Sequence, residues 1–184
     1  MYWIDMKRIN IMNTRTAFWY DLMKGIYELR CLELYKAYVD HVNRLINWIV
    51  GIVSCASVLA WLKDMLPPYI CSTVICLAQV LGVITPSLKL EKIHSALNYM
   101  IPDEQDVLAS MEEYWWTINA CEPKESSVIK KRSEFNSRLR GLENKYLSDL
   151  TLHFPKSIRN KATDYRDQYV NDYFYSKKES EELV

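Results

Sequence analysis

Glycine and proline are scarce in this chain, with 4 and 6 residues respectively among 184. So few chain-breaking residues argue against a repeat-rich β-sandwich, collagen, disorder or a glycine-rich phosphate loop. The charges also cancel, because 23 lysine and arginine residues face 23 aspartate and glutamate residues. A chain without net charge lacks the electrostatic signature of a DNA-binding protein, and we expect no direct DNA binding. The composition favours an all-α protein.

Metal-binding and catalytic signatures are absent from the sequence as well. The five cysteines include no CxxC pair, and the three histidines belong to no HExxH, HxH or Cys-His spacing. We therefore predict reduced thiols rather than a disulfide framework or a zinc site. With neither a paired nucleophile and base nor a phosphate cradle, we expect no catalytic residues, no cofactor and no enzymatic activity.

What the sequence does have is a central apolar region with almost no charge. Residues 45–62 form an 18-residue run without charge, and residues 69–88 form a second run of 20. At about 1.5 Å per residue, 18 helical residues span ~27 Å, close to the hydrocarbon core of a bilayer. With Pro67-Pro68 as a turn, the pattern predicts a two-helix transmembrane hairpin. The alternative is a helical bundle in which protein buries both runs.

The charges around the two runs predict the orientation of this hairpin. Five basic residues flank it on the outside, whereas the turn holds Lys63 alone; the five are Arg30, Lys36, Arg44, Lys89 and Lys92. Because basic residues concentrate on the cytoplasmic side, we predict that both termini lie in the cytoplasm.

Helical patterns flank the hairpin on both sides. Apolar residues recur every three or four positions through residues 14–44, which predicts one helix continuing into the first span. Further helices are predicted at roughly 103–121, 123–153 and 156–177. The predicted organisation is a cytoplasmic amphipathic helix (1–44), the hairpin (45–88), a cytoplasmic helical control module (89–178) and an acidic tail (179–184).

Small and polar side chains form a stripe along each predicted span. Such a stripe lets helices pack closely and share hydrogen bonds, and it could also line a weakly polar pore in an oligomer. The stripe residues are Asn47, Gly51, Ser54 and Ser57 in the first span and Ser72, Cys76 and Gln79 in the second.

A basic cluster lies in the predicted control module. It is either a solvated helix face or a binding surface for an acidic partner or a phosphate-bearing ligand. Its members are Lys130, Lys131, Arg132, Arg138 and Arg140.

The layout of the chain resembles the SLATT family of bacterial two-transmembrane effectors. The resemblance is carried by ELYKAYVDHVNRLINWIVGIVSCASVLAWL and by VLGVITPSLKLEKIHSALNYM, and in architecture it covers residues ~14–178. It implies an anti-phage effector that oligomerises to permeabilise or depolarise the inner membrane. The trigger would come from a sensor partner, either the product of a nucleotide cyclase or a retron reverse transcriptase complex.

Three functions compete, and the third, an enzyme, is disfavoured by the missing catalytic signatures. The first is the membrane-embedded effector, with the lipid bilayer and further copies of the chain as its partners. The second is a non-enzymatic membrane scaffold or regulatory subunit that anchors a cytoplasmic partner.

Overall fold

A computed structural model describes residues 14–54, 89–121 and 123–182, together with 67, 69, 72, 73, 76, 79 and 80. These residues form four long helices: α1 (Thr14–Ser54), α2 (Leu90–Cys121), α3 (Glu125–Leu147) and α4 (Lys156–Glu182). No strand occurs in the described part of the chain. The prediction of an all-α protein is confirmed.

The predicted transmembrane hairpin is wrong. No helix among the described residues combines the length and apolar character that crossing a bilayer requires. Of the first charge-free run, the structure describes residues 45–54, which continue α1 beyond Asp40 and Arg44 of the same helix. Residues 55–62, and most of 69–88, lie outside the described residues.

Two predicted helix boundaries also need revision. The sequence predicts a new helix after Pro102, but α2 runs through this residue from Leu90 to Cys121. Pro102 lacks an N–H group and removes one helical hydrogen bond, yet it is exposed and the helix continues around it. The second revision shortens a helix, because α3 ends at Leu147 rather than near residue 153. Residues 148–155 form a loop before α4.

The chain divides into two compact units, residues 1–34 with 97–184 and residues 35–96. We call the described part of the first the bundle unit. Its hydrophobic core combines residues from α1, α2 and α3, because each helix turns one apolar stripe inward. The fully buried members of this core include Phe18 and Leu22 of α1, Met111 and Ile118 of α2, and Val128 of α3.

Within the bundle unit, α1 and α2 are antiparallel and come close together at Gly25. Phe18 stacks on Trp115, with ring centroids 6.4 Å apart, and further along α1 the backbone of Gly25 faces the side chain of Leu108. A Cβ atom at position 25 would overlap the Leu108 side chain. Gly25 therefore permits the close approach of the two helices.

The second unit, residues 35–96, contains its own small set of contacts. Tyr35, Val39 and Ile93 are buried, and the His94 imidazole pairs with the Asp40 carboxylate. Lys89 directly precedes α2. Its φ of 51° lies in the left-handed region that non-glycine residues rarely adopt.

Candidate functional site

The bundle unit contains a cavity of about 340 Å³ with walls from three helices and a loop. Glu104 lies in the apolar stripe of α2 that also carries Leu97, Ile101, Leu108 and Met111, so the helix directs its carboxylate inward. The lining residues are Tyr27, Glu28, Cys31 and Leu32 from α1, Met100 and Glu104 from α2, Leu139, Glu143 and Leu147 from α3, and Leu150, Leu152 and Phe154 from the loop.

Glu104 is the only charged residue among the buried residues that the structure describes, with 4% of its surface exposed. No hydrogen bond or ion pair joins its carboxylate to another described side chain. Burial, and then the charges of Glu28 and Glu143, raise the pKa of Glu104 to about 8. An unpaired carboxylate at this depth costs free energy unless it is protonated or meets a cation.

The other two carboxylates of the cavity are less enclosed. Glu28 pairs with Lys24, at an Oε1 to Nζ distance of 3.4 Å, and burial is the main cause that raises its pKa. Glu143 is exposed and stands at the mouth of the cavity. The cavity therefore has a buried carboxylate inside and two more accessible carboxylates around it, with no lysine, arginine or histidine among its lining residues.

Tyr27 and Cys31 occupy one turn of α1 beside these carboxylates. The Tyr27 hydroxyl donates a hydrogen bond to the Cys31 sulfur, and burial raises the pKa of both groups. The Cys31 thiol is thus a neutral, weakly polar part of the wall rather than a reactive thiolate.

A metal ion does not suit this site. Across the part of the chain that the structure describes, no three His, Cys, Asp or Glu side chains are placed to hold one. The remaining walls are aliphatic and aromatic, which fits an organic ligand better than a hydrated ion.

The structure distributes the predicted basic cluster around α3 rather than on one surface. Arg132 binds Asp21 of α1 through two hydrogen bonds of 2.6 and 3.2 Å, and Lys131 pairs with Glu134 at 2.9 Å. Lys130, Arg138 and Arg140 are exposed. At about 100° per residue, Arg138 and Arg140 point to nearly opposite sides of the helix. Binding of an acidic partner here stays a prediction.

The predicted polar stripes lie only partly within the residues that the structure describes. Asn47 and Gly51 are exposed on α1, which ends at Ser54, whereas Ser57 lies outside the described residues. Ser72, Cys76 and Gln79 are exposed, and the Ser72 hydroxyl donates to the Tyr69 carbonyl at 3.0 Å. Their role in pore lining or helix packing stays a prediction.

Sequence reasoning did not select Glu28, Glu104 or Glu143. A signal for Glu104 was available, because a carboxylate occupies an apolar position in a three-to-four-residue repeat. Nothing in the sequence, however, indicates that α1 and α3 bring two more carboxylates to the same place.

No protein-family profile, curated protein or solved structure matches this chain.

Proposed function

We propose that the chain is a non-enzymatic regulatory subunit whose bundle unit receives a small-molecule signal in the acidic cavity. The supporting observation is Glu104, a buried carboxylate without a partner that faces a cavity large enough for a small ligand. Charged groups are rarely buried without compensation, since an unpaired one lowers stability. A site that tolerates this cost is typical of function rather than of packing.

The position of the cavity supports a regulatory role. Its walls come from three helices and the 148–155 loop, so a bound ligand would connect elements that are far apart in the sequence. Binding to the folded state alone stabilises it and favours one arrangement of these elements. A partner that reads this arrangement would then respond to the ligand.

The predicted membrane effector is not carried forward, because it depended on the hairpin that the fold corrects. Neither the structure nor the comparisons test the effector activity or the predicted inner-membrane location. The second function that the sequence left open, a membrane scaffold or regulatory subunit that anchors a partner, is kept here only as a regulatory subunit, since its membrane anchor depended on the same hairpin. The cavity gives it a place for its signal.

The test measures whether the cavity binds small amphiphiles at all. The full chain is heated with hexylamine, 1-hexanol or sodium hexanoate, and the unfolding midpoint is followed by tryptophan fluorescence. We expect saturable stabilisation by at least one probe, and its loss in Leu152→Trp, which fills the cavity from the loop.

His153→Trp supplies the matched control, since His153 is the exposed neighbour of Leu152 and does not line the cavity. It should keep the wild-type response. Absence of stabilisation by all three probes, or equal stabilisation of wild type and Leu152→Trp, would contradict the proposed function.

A further inference from the structure

We propose that the ligand of the cavity is a primary ammonium ion on a short apolar stem, with the Glu104 carboxylate as its counter-ion. This inference rests on the proposed function and names its ligand class. It follows from the charge inside the cavity, the chemistry of the walls and the geometry of the buried acid.

The charge of the cavity selects a cation. Glu104, Glu28 and Glu143 all line it, and repulsion between carboxylates contributes to the raised pKa values of Glu104 and Glu28. The only described cation paired with any of the three is Lys24, which binds Glu28. An anionic ligand would meet only acidic side chains, whereas a cation can pair with a carboxylate and relieve the repulsion.

The walls select an apolar stem. Leu139, Leu147, Leu152 and Phe154 cover the side of the cavity formed by α3 and the loop, and Met100 is buried beside Glu104 on α2. A hydrocarbon chain of a few carbons gains free energy by leaving water for such a surface. The volume of about 340 Å³ lies at the small end of ligand cavities, which favours a compact molecule.

The buried carboxylate selects a primary amine over a quaternary one. A primary ammonium ion has three N–H donors and forms short, charge-assisted hydrogen bonds with carboxylate oxygens. A quaternary ammonium ion has no donors and is usually held by an aromatic cage. Here only Tyr27 and Phe154 contribute aromatic rings to the lining.

Binding of this ligand should release a proton. Burial and the neighbouring carboxylates raise the pKa of Glu104 to about 8, so the acid is mostly protonated in the empty cavity at neutral pH. The titratable groups that line the cavity with it are Tyr27, Glu28 and Cys31 on α1 and Glu143 on α3. An ammonium ion that pairs with the carboxylate displaces its proton, so affinity should rise with pH.

The experiment compares hexylamine, 1-hexanol and hexanoate, which share a stem and differ in the head group, on the full chain by titration calorimetry. We expect hexylamine to bind at least tenfold more tightly than 1-hexanol, and hexanoate to bind least. Hexylamine affinity should increase by nearly tenfold per pH unit between pH 5.5 and 7. The observed binding enthalpy should vary with the ionisation enthalpy of the buffer, which takes up the released proton.

Glu104→Gln keeps the shape of the side chain and removes its charge. It should lose the preference for hexylamine and the pH dependence while retaining the wild-type circular dichroism spectrum. Glu113→Gln, an exposed change on the same helix, should keep both. Nα-acetyl-lysine methylamide identifies the source of the ammonium group: binding as tight as that of hexylamine indicates a lysine side chain, and weaker binding indicates a free amine.

The failures of this inference and of the proposed function are distinct. Equal binding of hexylamine and 1-hexanol, tighter binding of hexanoate, or unchanged hexylamine binding by Glu104→Gln would overturn the ammonium site. If 1-hexanol binds and Leu152→Trp blocks it, the regulatory function survives such a result. If no probe binds, both proposals fail.

Discussion

Two regions of the bundle unit are formed by the same three helices, but one is tightly packed and the other encloses a cavity. Around Phe18, aromatic rings of α1, α2 and α3 meet face to edge, with the Phe18 centroid 5.6 Å from Tyr114 and 6.1 Å from Phe135. Around Glu28, about three turns further along α1, the helices enclose an acidic cavity instead. The first region contributes packing, whereas the second gives up packing and keeps a buried acid without a partner. This division is typical of proteins that sacrifice stability at a binding site.

The largest effect is expected for Phe18→Ala, which tests whether packing in the aromatic region stabilises the unit. Phe18 has 0% of its surface exposed and contacts three aromatic rings, so the change leaves a cavity in the aromatic region. We expect the free energy of unfolding to fall by about 3–5 kcal/mol, measured by urea denaturation. A loss under about 1 kcal/mol would show that this region is not where packing stabilises the unit. Tyr20→Ala, an exposed aromatic on the same helix, is the control and should be near neutral.

The acidic region should respond in the opposite direction. The pKa of Glu104 is about 8 in the folded state and 4.5 without its surroundings, so the folded state holds the proton longer. Stability linked to Glu104 is therefore intact below pH 4.5 and is lost as the pH rises to about 8, at up to about 1.4 kcal/mol per pH unit.

Glu104→Gln should remove this loss. At pH 8 we expect the variant to be more stable than the wild type by about 2 kcal/mol or more, and at pH 4.5 the two should be similar. Urea denaturation across this pH range makes the measurement. Parallel stability curves for wild type and variant would contradict a buried, unpaired Glu104.

Gly25 lies between the two regions along α1. Gly25→Ala gains helix propensity of roughly 0.5–1 kcal/mol but forces a methyl group against the buried Leu108 side chain. We expect a net loss of about 1–2 kcal/mol by urea denaturation. In a Leu108→Ala background the same change should become neutral or stabilising. An equal loss in both backgrounds would place the cause elsewhere.

The smallest expected effects concern two tyrosine hydroxyls. The Tyr169 hydroxyl of α4 donates to Glu112 at 2.6 Å, whereas the Tyr114 hydroxyl is buried and has no hydrogen-bond partner among the described residues. Tyr169→Phe should cost about 0.5–1.5 kcal/mol, and Tyr114→Phe should be neutral or slightly stabilising. Thermal unfolding of the matched pair makes the comparison, and effects of the same sign would contradict it.

Periodicity predicted much of the bundle unit and little of its candidate site. The repeat through Phe18, Leu22, Ile26 and Leu29 predicted α1 from Thr14, because an apolar stripe at helical spacing is a local signal. The same reasoning gave too much weight to Pro102, whose exposed position lets the helix tolerate a missing hydrogen bond.

Long-range contacts account for what the sequence did not predict. The basic cluster looked like a single surface, yet Arg132 turns inward to Asp21, 111 residues away in the sequence. Similarly, Glu28, Glu104 and Glu143 come from three different helices, and no spacing within one helix indicates their meeting. The hairpin prediction failed in another way, since it depended on hydropathy alone, and no helix among the described residues is long and apolar enough to cross a bilayer.

The attachment of α4 provides an optical reporter within the chain. The Tyr173 hydroxyl accepts a hydrogen bond from Trp115 Nε1 at 2.9 Å, and its ring lies 4.8 Å from Trp19 and 5.4 Å from Trp116, measured between centroids. Separation of α4 from the other helices would expose the half-buried Trp19 and Trp115 further and remove the ring contact of Trp116, which is already exposed. Their emission should then shift to longer wavelength, so detachment of a single helix can be timed by stopped-flow fluorescence without any added dye.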